Sequence, residues 1–272
     1  MPETPIQQRP IGIFDSGIGG LTVAHAITEL LPNEQLIYFG DTAHLPYGDK
    51  STAAIQAYAV KICDLLIRQN CKVILIACNS ASAAAYELVK EYVGSKAKVL
   101  NVIDPTVLYI GEKYAGKPIG LIGTKQTIHS NVYKKKVDAL DKGVTLHSMA
   151  TPLLAAMIEE GFFNNTISES VISTYLSEPE LQDIEALILG CTHYPLIKNQ
   201  IEAFYEKQVD VLDTSVLVAQ YVKNFLEEHK LSNTNPSPEH KFYVSDFTRS
   251  FEESTRIFFE KEVHLEHYPL WE

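Results

Sequence analysis

Residues 73–83, VILIACNSASA, decide the fold. The six residues from Val73 to Cys78 are almost wholly apolar and rich in β-branched side chains, which predicts a buried strand. The run stops at Cys78-Asn79-Ser80, and the small residues Ala81 to Ala85 then read as the start of a helix. Strand, turn and helix in this order put a thiol at the carboxyl end of a buried strand. Ligands bind at that end of open α/β sheets, because loops and helix N-termini converge there. Residues 186–196, ALILGCTHYPL, repeat the design, with an apolar strand running into Cys191-Thr192-His193.

Working outward, Ile11 to Phe14 is a short strand ending at Asp15-Ser16-Gly17-Ile18-Gly19-Gly20, with a helix over Leu21 to Leu31. A strand from Leu36 to Phe39 enters the loop from Gly40 to Gly48, and a helix follows from about Ser51 to Arg68. The helix after Cys78 runs to Val93. A strand near Val99–Ile103 then ends at Asp104-Pro105-Thr106, ahead of a helix to about Tyr114. Beyond Asp213 come a helix from Val216 to Glu228 and a linker, Ser232–Pro238, rich in Ser, Asn and Pro. Two late strands, Phe242–Val244 and Val263–His267, flank a helix around Ser250–Phe259.

The strand ends recur. Ile119 to Thr124 resembles Ile11 to Ser16, Ala150-Thr151 weakly echoes Asp41-Thr42, Cys191 answers Cys78, and Asp213-Thr214-Ser215 answers Asp104-Pro105-Thr106. These pairs lie at offsets of 108 to 113 residues. A near-constant offset predicts an internal duplication of βα-rich units of about 100 residues. The expected fold is therefore α/β, with two pseudo-symmetric lobes, each a mostly parallel sheet flanked by helices, and the active site in the cleft between them. Residues 1–102 with 214–272 would form the first lobe and its returning tail, and residues 103–213 the second.

Composition narrows the function. Hydrophobic residues at 46% and charged ones at 21% describe an ordinary globular chain, long enough at 272 residues for two lobes with their own cores. A net charge of −11 and a pI near 5.3 argue against nucleic acid or an anionic membrane as partner. Lys134-Lys135-Lys136 reads as a solvated helix face. No run of about 20 apolar residues predicts a membrane span, and the opening MPETPIQQRP lacks the apolar core of a signal peptide. Four cysteines, Cys63, Cys71, Cys78 and Cys191, without an export signal predict reduced thiols and a cytoplasmic setting. No Cys-x-x-Cys or His/Cys spacing predicts a metal site.

Two related lobes facing each other would put Cys78 and Cys191 on opposite walls of one cleft. That arrangement suits racemisation, in which one group removes a proton from carbon and another delivers one to the opposite face. A thiol, with an ordinary pKa of about 8.5, serves as base when ionised and as acid when protonated. His193 could adjust Cys191, and Asp15 could do the same for Cys78. Asn79, Ser80, Thr192 and the N–H groups of the helix starts offer donors to a substrate carboxylate, and the Tyr47-Gly48 turn a further contact. A lone thiol after a strand is ordinarily a small core residue; two at equivalent places in a repeat, each followed by polar residues, point to function. Cys63 and Cys71 read as structural. Asp15-Ser16 could equally cap a helix, Asp104 and Asp213 read as helix caps, and His44, His129 and His147 carry no supporting partner. The Gly-Ile-Gly-Gly run lacks the spacing of a dinucleotide loop.

IGIFDSGIGGLTV (11–23), YFGDTAHLPYGDKS (38–51), ACNSASA (77–83) and GCTHYPLI (190–197), with VLDTS (211–215) in support, resemble the glutamate racemases of the cofactor-independent aspartate/glutamate racemase group. The resemblance implies glutamate as the small-molecule substrate, no pyridoxal phosphate or other cofactor, a homodimer, and a bacterial cytosolic role supplying D-glutamate for peptidoglycan. It implies that Cys78 takes the α-proton from D-glutamate and Cys191 from L-glutamate. Substrate contacts would come from Asp15, Ser16, Tyr47, Gly48, Asn79, Ser80, Thr192 and His193, and either Glu159 or Glu160 would line the cleft. Ser80 stands where Thr is common, which keeps the hydroxyl, and His44 stands where Arg is common. An aspartate racemase on the same fold is the nearest alternative. A cysteine hydrolase or decarboxylase leaves Cys191-Thr192-His193 unexplained, and a two-lobed binding protein needs neither thiol.

Overall fold

The apolar runs assemble into two sheets, in a computed structural model that describes residues 4–236 and 239–272. In chain order the strands are β1 (Ile11–Asp15), β2 (Leu36–Gly40), β3 (Val73–Ile76), β4 (Lys98–Asn101), β5 (Pro118–Gly123), β6 (Thr145–Ala150), β7 (Ala186–Gly190), β8 (Asp210–Leu212), β9 (Lys241–Val244) and β10 (Glu266–His267). One sheet has the order β10-β9-β2-β1-β3-β4 and the other β6-β5-β7-β8, and every pairing is parallel. Parallel sheets form where helices cover both faces. Accordingly β1, β2, β3 and β7 are buried along their whole length. The expected α/β architecture of two parallel sheets flanked by helices is the one observed.

The order β2-β1-β3-β4 in the first sheet is matched by β6-β5-β7-β8 in the second. Registers match too, with Asp15 opposite Gly40 in one and Gly123 opposite Ala150 in the other. The next N–H groups close both ladders alike: Asp41 donates to the Asp15 carbonyl at 3.0 Å and Thr151 to that of Gly123 at 2.8 Å. Cys78 and Cys191 each fall just beyond an equivalent strand, β3 and β7. The fold thereby places both thiols at corresponding sheet ends.

Helix starts follow from their capping residues. Ser51 Oγ accepts the Ala54 N–H at 3.3 Å ahead of helix Thr52–Arg68, and Asp213 accepts from Ser215 N–H at 2.9 Å ahead of helix Thr214–Glu228, as expected of that residue. Asp104 differs from expectation. Strand β4 ends at Asn101, and Asn101 Oδ1 accepts the N–H groups of both Ile103 and Asp104 at 2.9 Å. Helix Ile103–Lys113 thus begins before Asp104, which lies in its first turn and pairs with Lys136 at 2.8 Å. The last strand is also shorter than its sequence pattern, because only Glu266 and His267 pair with β9 while Val263 and Leu265 are buried as core residues.

After helix Thr214–Glu228 the chain returns to the first sheet, where β9 pairs with β2 and β10 with β9. The crossing is held by a buried ion pair: Lys72 Nζ donates to Glu34 Oε2 at 2.5 Å and to the carbonyls of Gln7 and Leu231, and Glu34 Oε1 accepts the Asn233 N–H at 2.8 Å. Ser237 and Pro238, the end of the expected linker, lie outside the described residues. Cys63 and Cys71 sit in the apolar core beside β1, where a Cβ on Gly12 would lie 2.9 Å from Cys71 Sγ. Burial pushes both thiols up, Cys71 to about 12, so they are packing residues. Among the described residues no helix is long and apolar enough to cross a membrane.

Candidate active site

Asp15 ends β1 with its carboxyl group fully buried. Its Oδ2 accepts the Gly17 N–H at 3.1 Å, and Oδ1 has no partner. Gly20, not Asp15, occupies the capping position of helix Leu21–Leu30, and no side chain caps it. The helix-cap reading of Asp15-Ser16 therefore falls away. A Cβ on Gly20 would come within 2.6 Å of Asp15 Cβ, so glycine lets the loop fold closely over the carboxyl. Burial raises the Asp15 pKa, against the opposing pull of His193 and the Gly20 and Gly17 N–H groups; Glu159 adds to the rise.

Cys78 precedes helix Asn79–Val93, and its Sγ occupies the place of a capping oxygen, accepting the Ala81 N–H at 3.4 Å. Ser16 Oγ lies 3.8 Å away. Burial and the Asp15 charge push the Cys78 thiol up to about 12, although the Ala81 N–H and Ser16 work in the opposite direction. Asn79 Oδ1 accepts the Tyr133 hydroxyl at 2.8 Å, which sets the amide orientation and leaves Nδ2 buried without a partner. Ser80 Oγ meets Thr124 Oγ1 at 2.8 Å across the two sheets' helices. Tyr47 is buried with its hydroxyl donated to Asp41 at 2.6 Å, and Gly48 is packed so closely that a Cβ would lie 2.8 Å from Thr124 Cβ.

The opposite wall follows β7. Cys191 Sγ is 3.6 Å from His193 Nδ1, and His193 Nε2 is 2.9 Å from Glu159 Oε1. The second contact is close but poorly aligned for a hydrogen bond, so it counts as an ion pair. Burial opposes charge on the His193 ring. A Cys191 thiolate and the Glu159 carboxylate outweigh burial and hold the pKa well above the ordinary range. The loop is braced from behind: Thr22 Oγ1 donates to the Thr192 carbonyl at 3.1 Å, and the Phe258 ring packs edge-on to His193 at 5.2 Å. Gly19 comes so near that a Cβ would sit 2.4 Å from His193 Cε1 and 2.7 Å from Thr192 Oγ1.

The two walls converge. A charge on Cys191 raises Cys78, His193 and Glu159 act on Asp15, and Cys78 and Asp15 act on Tyr47. The structure thus gathers Asp15, Ser16, Tyr47, Cys78, Asn79, Cys191, Thr192 and His193, with Ser80 hydrogen-bonded to Thr124 and Gly48 packed against it at the edge. A cavity of about 530 Å³ lies behind Thr22 and Phe258 and is lined by neither cysteine; the converging charges, not that cavity, mark the site. Between the two acidic candidates the geometry selects Glu159, as Glu160 closes helix Pro152–Glu159. His44, expected to have no partner, has several: Asp41 lies 3.0 Å away and Tyr58 stacks on the ring at 4.1 Å. Sequence reasoning missed Tyr133 and Thr124, which carry no local signal, and Asp41, whose place at the end of β2 parallels that of Asp15 on β1. Among the described residues no group of three or more His, Cys, Asp or Glu side chains is placed to hold a metal ion.

A sequence model of the Asp/Glu/hydantoin racemase family matches residues 17–222. A protein of Caldanaerobacter subterraneus subsp. tengcongensis named glutamate racemase is 36% identical over 256 residues, covering 94% of this chain and 92% of its own. The crystal structure of glutamate racemase from Francisella tularensis in complex with D-glutamate superposes with a TM-score of 0.89 at 40% identity, covering 97% of this chain and 99% of that one. A glutamate racemase isoform from Bacillus anthracis gives 0.91 at 31% identity, over 96% and 98% of the two chains.

Proposed function

The chain belongs to the Asp/Glu/hydantoin racemase family of isomerases, and from that premise we propose that it interconverts L- and D-glutamate by proton transfer at Cα between Cys78 and Cys191, without a cofactor. One observation carries the reading. Two thiols stand at equivalent strand ends of the two sheets, close enough to feel each other's charge. A single thiolate between them takes the α-proton while the other thiol gives its own to the opposite face. The substrate leaves inverted and the two sulfurs have exchanged protonation states.

The surroundings suit each part of an acidic amino acid. The unpartnered Asp15 Oδ1 is an acceptor for the substrate ammonium, and the unpartnered Asn79 Nδ2 a donor to a carboxylate. Ser80, Thr192, Ser16 and the Tyr47-Gly48 edge complete the set. His193, held by Glu159, stands 3.6 Å from the Cys191 sulfur, and the Asp15 charge favours the Cys78 thiol. With Cys191 as the base, the cycle starts from L-glutamate. Glutamate is favoured over aspartate by the relatives' names and by the D-glutamate bound in the Francisella structure. A cysteine hydrolase would leave one of the two thiols idle. We place the chain in the cytoplasm as a supplier of D-glutamate for peptidoglycan and as a homodimer. We take residues 1–102 with 214–272 as one lobe and 103–213 as the other.

The test is incubation with L- or D-glutamate in D₂O under reducing conditions, followed by circular dichroism and proton NMR. Decay to a racemic mixture from both sides with deuterium entering Cα is expected. Replacing either cysteine by Ser should lower turnover in both directions by about 10³-fold or more. Full two-way turnover by either variant would sink the two-base assignment.

A further inference from the structure

We propose that Trp271, the second-last residue, is a positioning residue for the substrate edge of the cleft, acting through Asp41 on Tyr47. The inference rests on the reading of Tyr47-Gly48 as a substrate contact. Asp41 follows β2 and its carboxyl is wholly buried. A buried carboxylate is tolerable only where donors surround it, and here they come from three separate parts of the chain. Its own loop supplies the Tyr47 hydroxyl at 2.6 Å and His44 Nδ1 at 3.0 Å to Oδ2. The residue after β9, Ser245, donates its hydroxyl to Oδ1 at 2.8 Å. Trp271 Nε1, 230 positions further along the chain, donates to the same oxygen at 2.8 Å.

The tail fixes the loop backbone as well. Ala43 N–H donates to Ser245 Oγ at 3.0 Å, and Thr42 and Asp246 exchange hydrogen bonds at 2.5 and 2.8 Å. The indole packs edge-on against His44 at 4.5 Å and Tyr58 at 5.5 Å, and Lys61 Nζ sits 4.7 Å over its ring. The loop carrying Tyr47 and Gly48 consists of two short 3₁₀ turns, Thr42–His44 and Tyr47–Asp49, joined by an extended stretch, and side chains from Ser245, Asp246 and Trp271 brace it. Losing the indole donor leaves Asp41 Oδ1 held only by the Ser245 hydroxyl at 2.8 Å and His44 Nδ1 at 3.1 Å, so the carboxyl is less firmly fixed and the Tyr47 phenol loses a rigid acceptor. Chemistry at the thiols would be untouched, while the substrate would meet a looser edge.

The experiment compares the parent enzyme with Trp271→Phe, Tyr47→Phe and the double variant, measuring kcat and KM for both enantiomers of glutamate together with thermal midpoints. Phenylalanine keeps an aromatic ring in the pocket and removes the donor along with part of the indole's bulk, so the thermal midpoint is read beside KM. The expected result is a KM about tenfold higher for Trp271→Phe with kcat within about twofold, a like change for Tyr47→Phe, and no further rise in the double variant. A lowered midpoint with an unchanged KM would reduce Trp271 to a structural fastening and overturn the inference, as would effects of the two substitutions that multiply. Should Trp271→Phe fail to fold, Ser245→Ala, which removes another donor to Oδ1, decides by the same KM criterion. An active parent with unchanged variants rejects this inference alone; a parent silent on glutamate rejects the functional reading and the inference with it.

Discussion

Asp15 and Asn79 each keep one polar atom in the interior without a partner, an arrangement that costs about 1–3 kcal/mol per group unless something binds there. Asp15 also carries a pKa raised by burial. A carboxyl whose folded pKa lies above its unfolded value adds stability at pH below the unfolded value and loses it as pH rises through the folded one. Above the unfolded value, Asp15 is therefore a burden on the fold. Asp15→Asn should raise the unfolding free energy by about 1 kcal/mol in a urea titration while racemisation falls by about 10²-fold or more. Tyr133→Phe should leave the fold intact, free the Asn79 amide to turn and raise KM for glutamate about fivefold, measured by steady-state kinetics. The sequence made Asp15, Cys78, Asn79 and His193 legible because each is a polar residue where an apolar strand stops. Tyr133, Thr124 and the choice of Glu159 were not legible, since they reach the site from other helices through packing that no local pattern records. His44 was misjudged for the same reason, its partners being Asp41, Tyr58 and Trp271.

Elements were readable wherever period and composition agreed, as in helix Thr52–Arg68 behind Ser51 and in β3 ahead of Cys78. The junction after β4 was displaced because Asp104-Pro105 imitates a cap followed by a first-turn proline. In the fold Asn101 reaches the free N–H groups first, and the helix starts two residues beyond it. Asn101→Ala should therefore cost about 1 kcal/mol in chemical denaturation, whereas Asp104→Ala, which removes a partly exposed ion pair and the hydrogen bond Asp104 accepts from Asn101 Nδ2 but leaves the cap itself, should cost under about 1 kcal/mol. Gly19 tests a second junction. Its missing Cβ is what admits the His193 ring and the Thr192 hydroxyl to the start of helix Leu21–Leu30. Gly19→Ala should lower turnover more than tenfold with a comparatively small change in thermal midpoint.

At the scale of the molecule, the near-constant offset of strand ends carried the architecture, and the matching strand orders β2-β1-β3-β4 and β6-β5-β7-β8 account for it. The path of the tail was less legible, because its anchors are single residues far apart in sequence. Lys72 is the clearest, joining the carbonyls of Gln7 and Leu231 to the Glu34 carboxylate in the interior. Lys72→Met would strand that carboxylate, and a loss of about 3 kcal/mol in unfolding free energy is expected from urea titration.

Near-symmetry of the sheets does not extend to the company the two thiols keep. One stands by Asp15 and Ser16, the other by the His193–Glu159 pair. In an achiral solvent two enantiomers have equal free energies, so the equilibrium constant of a racemase is one. The ratio kcat/KM must then be identical in the two directions, however unlike the catalytic walls. Any advantage in affinity that the His193–Glu159 pair gives one enantiomer over the other must be matched by an equal disadvantage in turnover number relative to the other.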